Sequence, residues 1–156
     1  MSHLRLHEVT DQNLRALTDF QLKPGQERFV APVVLSIAEA YVTPTAWPRA
    51  ILEQDKIVGF VMANFDPDNE IEAFRCGIWR LNIAAHAQGR GVGRFAVEEV
   101  ASEARKRGQD RMTVLWAEGE GGPESFYLRC GFEPTGERIF DQTLGVRTTA
   151  ASAPRT

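Results

Sequence analysis

The sequence predicts one α/β (α+β) domain, and three features carry that prediction. An apolar strand-like run, Trp79 to Ile83, leads to alternating glycines at positions 89, 91 and 93. A long helical pattern follows the glycines. A second, continuous apolar run, Met112 to Ala117, follows the helix. The 156 residues, 43% hydrophobic and 25% charged, suit a single domain with one sizeable core.

Leu4 to Val9 alternates, Leu4 and Leu6 against Arg5 and His7, and reads as a first strand. Thr10 or Asp11 caps a helix with Leu14, Leu17 and Phe20 on one side, and Pro24-Gly25 breaks it. Pro32 suits the start of a second helix, whose expected buried stripe is Val34, Ile37, Ala38 and Tyr41. Pro44 and Pro48 bracket the next loop. Arg49 to Glu53 and Ile57 to Asn64 read as strands around the turn Gln54-Asp55-Lys56. Gly59 signals a bulge or a close backbone approach. After a turn at Asp66 to Asn69, Ala73 to Ile83 is a long strand candidate. Strict alternation puts Trp79, Leu81 and Ile83 on one face, and Ile78, Arg80 and Asn82 on the other.

The helix after the glycines is expected to end near Arg107, with Val97, Val100, Ala101 and Ala104 buried. Glu103 and Arg107 form an i, i+4 pair, and Gly108 stops the helix. Met112 to Ala117 reads as a strand buried on both faces. Pro123 opens a short helix, Glu124 to Cys130, which Gly131 ends. Phe132 to Phe140 and Thr143 to Arg147 finish as strands. The domain is expected over residues 1–147, with a disordered tail over 148–156.

The net charge of −3 and the pI near 5.7 argue against a general nucleic-acid binder. No run approaches the roughly 18 apolar residues of a membrane span, and Met1 to Thr10 lacks a signal-peptide core. Cys76 and Cys130 lack metal-ligand spacing and read as buried free thiols, as in a reducing compartment. A cytoplasmic protein without a metal is expected.

The glycines carry the functional signal. Bare backbone before a helix lets N–H groups close on a phosphate, with the helix dipole adding to the attraction. A dinucleotide fingerprint G-x-G-x-x-G fails from Gly89, whose sixth position is Arg94. From Gly91 the sixth is Ala96, a less informative match, and the expected early βαβ placement and downstream acidic residue are not evident. A Walker loop fails too, since no G-K-[ST] occurs. The expected ligand is one with a diphosphate.

Leu81-Asn82-Ile83 followed by Gln88-Gly89-Arg90-Gly91-Val92-Gly93 resembles the acetyl-CoA motif Q/R-x-x-G-x-G/A of the GNAT superfamily of N-acetyltransferases. Phe126-Tyr127-Leu128-Arg129-Cys130-Gly131-Phe132 is similar to that superfamily's F/L-Y-x-x-x-G-F signature, and the two stand in the right order. The resemblance covers Leu4 to Phe140. It implies a mixed, mostly antiparallel, twisted sheet of six to seven strands flanked by about four helices. It also implies that the strand before the glycines splays from its neighbour and binds the pantetheine arm through Leu81, Asn82 and Ile83. The amides of Gln88, Gly89, Arg90, Gly91, Val92, Gly93 and Arg94 would hold the diphosphate, and Arg90 and Arg94 could add charge. Acetyl-CoA is then a cosubstrate and a homodimer is expected.

Direct transfer of acetyl to an amine needs a deprotonated nitrogen, donors for the developing oxyanion and an acid for the leaving thiolate. Tyr127 holds the superfamily's tyrosine position and is the expected acid. Glu72, with Glu70 and Glu39 as alternatives, is the expected base acting through water. The segments Pro24 to Pro32 and Ser36 to Tyr41 look like the acceptor region of bacterial spermine/spermidine-type acetyltransferases. A polyamine-like acceptor would then meet Glu27, Glu39, Tyr41 and Trp79, carboxylates and aromatic faces suited to a cationic chain. The chain departs from the superfamily at Glu120 and Pro123, where Asn and Ala are common. A protein N-terminal or lysine acetyltransferase is the alternative enzyme, and a silent acyl-CoA-binding module is the alternative outside enzymes.

Overall fold

The computed structural model describes residues 3–151. Its strands are β1 (Leu4–Glu8), β2 (Ala46–Glu53), β3 (Lys56–Phe65), β4 (Cys76–Ile83), β5 (Arg111–Trp116), β6 (Glu133–Ile139) and β7 (Gln142–Thr148). Its helices are α1 (Leu14–Asp19), α2 (Val33–Val42), α3 (Val92–Lys106) and α4 (Glu124–Arg129). One seven-stranded sheet runs β1-β2-β3-β4-β5-β7-β6. Only β4 and β5 pair in parallel; the other neighbours are antiparallel. The expected mixed sheet flanked by four helices is what forms.

The sheet is covered on both faces. Leu17 of α1 and Val33 of α2 pack on Ala50, Leu52, Phe60 and Met62. On the other face Val97, Val100, Ala101 and Ala104 of α3 pack on Val61, Ala63 and Ile78. That α3 stripe is the one the 3.6-residue period selects. Glu103 pairs with Arg107 at 2.9 Å. Gly108, at φ +82°, ends the helix, with the Gln109 N–H bonded to the Ala104 carbonyl.

Several expectations need correction. The buried side of α2 is Val33 and Ser36, with Ile37 and Ala40 half-buried, whereas Val34, Ala38 and Tyr41 face solvent. Strand β2 begins at Ala46 and runs through Pro48. Pro48 pairs only with β3, beyond the last β1 partner at Arg49, so its missing N–H falls on a local edge. The strand proposed from Ala73 starts at Cys76, after a 3-10 turn over Glu72–Phe74. In β5 Met112, Val114 and Trp116 are buried while Thr113 and Leu115 are half-exposed, so only one face is sealed.

Bulges change the phase of two strands. Opposite β2 the register slips at Ile51/Leu52, next to Gly59, whose added Cβ would lie 2.8 Å from the Asn82 carbonyl. Both readings of Gly59 therefore hold. In β4 the register jumps from Ile78 to Arg80, leaving Trp79 as the extra residue. Trp79 consequently packs on the α1/α2 side, where Arg80 and Asn82 also reach α2 and the segment before it. Ile78 joins Leu81 and Ile83 on the α3 side. The alternation expected from the sequence is thus inverted at these two residues.

The boundary at Thr148 also moves. Thr148 closes β7, and Thr149 is 2% exposed with its N–H bonded to the Asp110 carbonyl at 3.0 Å. Residues 152–156 of the expected tail lie outside the described residues. Arg147 organises this end from the core. Its buried guanidinium donates to Glu98 at 2.9 Å, to the Cys130 carbonyl at 3.0 Å and to the Ala150 carbonyl at 3.1 Å. Removing one partner of such a cluster strands the others. Arg147→Met is expected to destabilise the fold by about 3 kcal/mol in urea unfolding. An unchanged midpoint would show that the guanidinium does not hold this end.

Candidate active site

Strands β4 and β5 pair only at Gly77 with Thr113 and Ile78 with Val114. Beyond Ile78 they separate, at the Trp79 bulge that increases local twist. A cleft of about 1180 Å³ opens there. Trp79, Leu81 and Ile83 line one wall; Leu115, Trp116 and Tyr127 line the other. The splay therefore leaves one edge of β4 without a strand partner.

The glycine turn closes one end of the cleft. Gly89 and Gly91 have φ of +80° and +88°, and an added Cβ at either would meet no atom within 4 Å. Their need for glycine is conformational. The N–H groups of residues 89–94 make no hydrogen bond among the described residues, and the first helical bond runs from the Phe95 N–H to the Gly91 carbonyl. Gly93 differs. An added Cβ there would sit 2.8 Å from the Phe126 ring, so this glycine lets α4 approach α3. Gln88 and Gly93 line the cleft beside Gly89.

The predicted arginines are already engaged. Arg90 donates to both Glu53 oxygens, at 3.1 and 3.3 Å, and Arg94 donates to the Arg129 carbonyl at 2.6 Å. Neither lines the cleft, although Arg129 does. Val92 is buried in the core under α3, and only its backbone faces the turn. Asn82 is 2% exposed and its amide donates to the Ala31 carbonyl at 3.1 Å, which fixes the segment before α2.

Tyr127 reaches the cleft from α4 and is 7% exposed. It stacks on Trp116 with ring centroids 5.6 Å apart and meets Phe126 and Phe132 edge-on. Burial pushes its phenol above the ordinary value of about 10, with Cys130 adding to the rise. A phenol held protonated is a donor. The thiols are different in kind. Burial pushes Cys76 up to about 11, against the opposing Arg107 charge, and also raises Cys130. Both are free, buried and outside the cleft lining, so neither is placed as a nucleophile.

The acceptor-side expectations divide. Glu27, Glu39 and Trp79 line the cleft. Glu39 is paired with Arg80 at 3.0 Å, and burial lowers the Arg80 pKa while Glu39 raises it. Tyr41 does not line the cleft; it is 91% exposed on the outer side of α2. Glu72 and Glu70 are exposed and also outside the lining. The phase of α2 explains Tyr41, and the 3-10 turn that replaces the start of the long strand explains Glu72. Sequence reasoning missed Phe74 and Phe140, which line the cleft together with Asp66. Phe140 stacks on Phe74 at 6.1 Å and holds a φ of +52° in the β6–β7 turn. No local sequence signal distinguishes such a loop aromatic from a core one.

Among the described residues no cluster of His, Cys, Asp and Glu could hold a metal ion, and no helix is long and apolar enough to cross a membrane. The model of the acetyltransferase (GNAT) family matches residues 9–132. No curated protein matches the chain in sequence. Solved structures share the fold. An acetyltransferase from Thermus thermophilus is 22% identical with a TM-score of 0.73, over 95% of this chain and 97% of that one. The ribosomal-protein-S18-alanine N-acetyltransferase of Escherichia coli is 13% identical with a TM-score of 0.67, over 98% of each chain. The PaiA N-acetyltransferase of Thermoplasma acidophilum, in complex with coenzyme A, is 12% identical with a TM-score of 0.67, over 95% of this chain and 99% of that one.

Gly91→Ala forces a side chain into a left-handed conformation with no compensating contact. It is expected to cost about 1 kcal/mol in urea unfolding. An unchanged or raised midpoint would show that the turn does not need its glycine.

Proposed function

The chain belongs to the acetyltransferase (GNAT) family, and on that premise we propose that it transfers acetyl from acetyl-CoA directly to a primary amine of a small, polyamine-like acceptor. The observation that carries this reading is the split between β4 and β5, with unbonded amides at its mouth. A free strand edge suits the amide-bearing pantetheine arm, and the amides of residues 89–94 suit a diphosphate. The PaiA N-acetyltransferase of the same fold is a complex with coenzyme A, which supports the fit. Arg90 and Arg94 then act on the outer rim, each needing to leave its present partner to touch a phosphate.

Bound acetyl-CoA supplies an acyl group activated as a thioester. Leu81 and Ile83 offer main-chain groups along the cleft wall, to orient the arm. The Tyr127 hydroxyl keeps its proton and gives it to the departing sulfur. The acceptor side carries the carboxylates Glu27, Glu39 and Asp66, with aromatic faces at Trp79, Phe74 and Phe140. Alkylammonium groups are drawn to both kinds of surface. Glu27, exposed and outside any ion pair among the described residues, is the carboxylate assigned to drawing in the ammonium and taking its proton through water. The two buried free thiols agree with a reducing, cytoplasmic setting. The outer side of α2, with Val34, Tyr41 and Val42 exposed, offers apolar surface for the expected homodimer.

Thiol release from acetyl-CoA over spermidine, spermine, aminoglycosides and short peptides tests the acceptor. Release with polyamines is expected; release only with peptide N-termini or lysines would replace this reading. Tight coenzyme binding without release to any amine would indicate a silent binding module.

Tyr127→Phe is expected to lower kcat about 100-fold while leaving the Kd for CoA within about twofold. Because the folded phenol titrates above its ordinary value, its proton is present at neutral pH and is lost only as pH rises past about 10. The wild-type rate should therefore show no alkaline loss from this group below pH 10. Wild-type turnover in the variant would remove Tyr127 from the mechanism.

A further inference from the structure

The segment between α1 and α2, residues 21–32, crosses the mouth of the cleft. Its only regular structure is the 3-10 turn Gln26–Arg28, entered through Gly25 at φ +89°. On the β4 side the Gln21 carbonyl accepts from the Ala85 N–H at 2.7 Å, and the Ala31 carbonyl accepts from the Asn82 amide. On the β5 side Arg28 donates to the Glu120 carbonyl at 3.3 Å. The Phe29 ring lies so close to Gly119 and Gly122 that an added Cβ would stand 3.2 and 3.0 Å from it. Glu27 rides on this bridge.

One side-chain contact joins the middle of the bridge to the glycine turn. Gln26 Nε2 donates to Gln88 Oε1 at 2.9 Å, and Gln88 Nε2 donates to Gln26 Oε1 at 2.7 Å. Each amide has a further commitment. Gln26 Oε1 also accepts from the Lys23 N–H at 3.0 Å, which fixes the turn before it. Gln88 Nε2 also donates to the Ile83 carbonyl at 2.9 Å, which fixes the end of β4. Two half-buried amides are thereby satisfied only together, and a shift of either backbone breaks both bonds.

We propose that Gln26 is a positioning residue that couples the glycine turn to the acceptor-side bridge, so that coenzyme binding orders residues 21–32 before the acceptor enters. The inference rests on reading residues 89–94 as the diphosphate site. An anion held by the amides after Gln88 immobilises Gln88. The reciprocal amide pair then immobilises Gln26, and with it Glu27 and Phe29. Acceptor affinity consequently depends on whether coenzyme is bound, and Gln26 carries that dependence.

Amide hydrogen exchange with CoA as the probe tests the coupling. In the wild type, CoA should slow exchange in residues 89–95 and, by about fivefold, in residues 26–31. In Gln26→Leu the slowing at 89–95 should persist and that at 26–31 should vanish. Gln26→Glu, which keeps the acceptor oxygens for Gln88 and Lys23, should recover part of it. A purely structural role would raise exchange in the variant with and without CoA alike, leaving the CoA-dependent ratio unchanged. That result, or wild-type protection confined to 89–95, would overturn the coupling alone. Absence of any CoA-dependent protection in the wild type would overturn the coenzyme site and the coupling with it.

Discussion

The parallel partnership of β4 ends after two residue pairs, and the site depends on that interruption. Main-chain N–H and C=O groups at an interior position in a sheet normally find a neighbouring strand. Leaving such a group unpaired and dry costs about 1–3 kcal/mol. Here the cost is avoided because the gap is a solvent-accessible cleft. The Trp79 bulge, at the point of separation, belongs to the same device. It turns Trp79 away from α3 and leaves Leu81 and Ile83 along the cleft wall.

The surrounding elements keep that gap open and shaped. Helix α3 anchors its inner side on the sheet, so the unbonded amides at its start are fixed relative to β4. Helix α4 approaches closely because Gly93 has no side chain, and Tyr127 is wedged among Trp116, Phe126 and Phe132. A rigid aromatic setting of this kind holds a hydroxyl in place at low entropic cost. The cleft lining carries both signs of charge, the carboxylates Glu27, Glu39 and Asp66 beside Arg28, Arg80 and Arg129, with Arg80 paired to Glu39. Arg90 and Arg94 near the turn are paired with Glu53 and a carbonyl at its rim. The thiols of Cys76 and Cys130 are buried, raised and outside the cleft lining, so neither is placed as a nucleophile.

Much of this was legible in the sequence where one physical cause dominated. The α3 stripe, its Gly108 stop and the Glu103–Arg107 pair follow from helix periodicity and capping alone. The glycine turn was legible because left-handed backbone leaves a residue-type mark. Helix α2 was misread because it is apolar nearly all round. Two stripes satisfy the same period, and the buried one contains Ser36, which looks polar in sequence but lies against the sheet. Trp79 and Ile78 were assigned to the wrong faces because alternation cannot register a bulge. Glu72 and the missed pair Phe74 and Phe140 share a further cause. Their relation to the cleft is set by loops whose course depends on long-range packing, which local pattern does not encode.

The open edge of β4 is the central claim, and titration calorimetry with two ligands tests it most directly. Coenzyme A and its fragment 3′-phosphoadenosine 5′-diphosphate share the nucleotide and the diphosphate; only the former carries the pantetheine arm. If that edge binds the arm, CoA should bind at least about tenfold more tightly, a difference of about 1.4 kcal/mol. Equal affinities, or no heat with either ligand, would contradict the account.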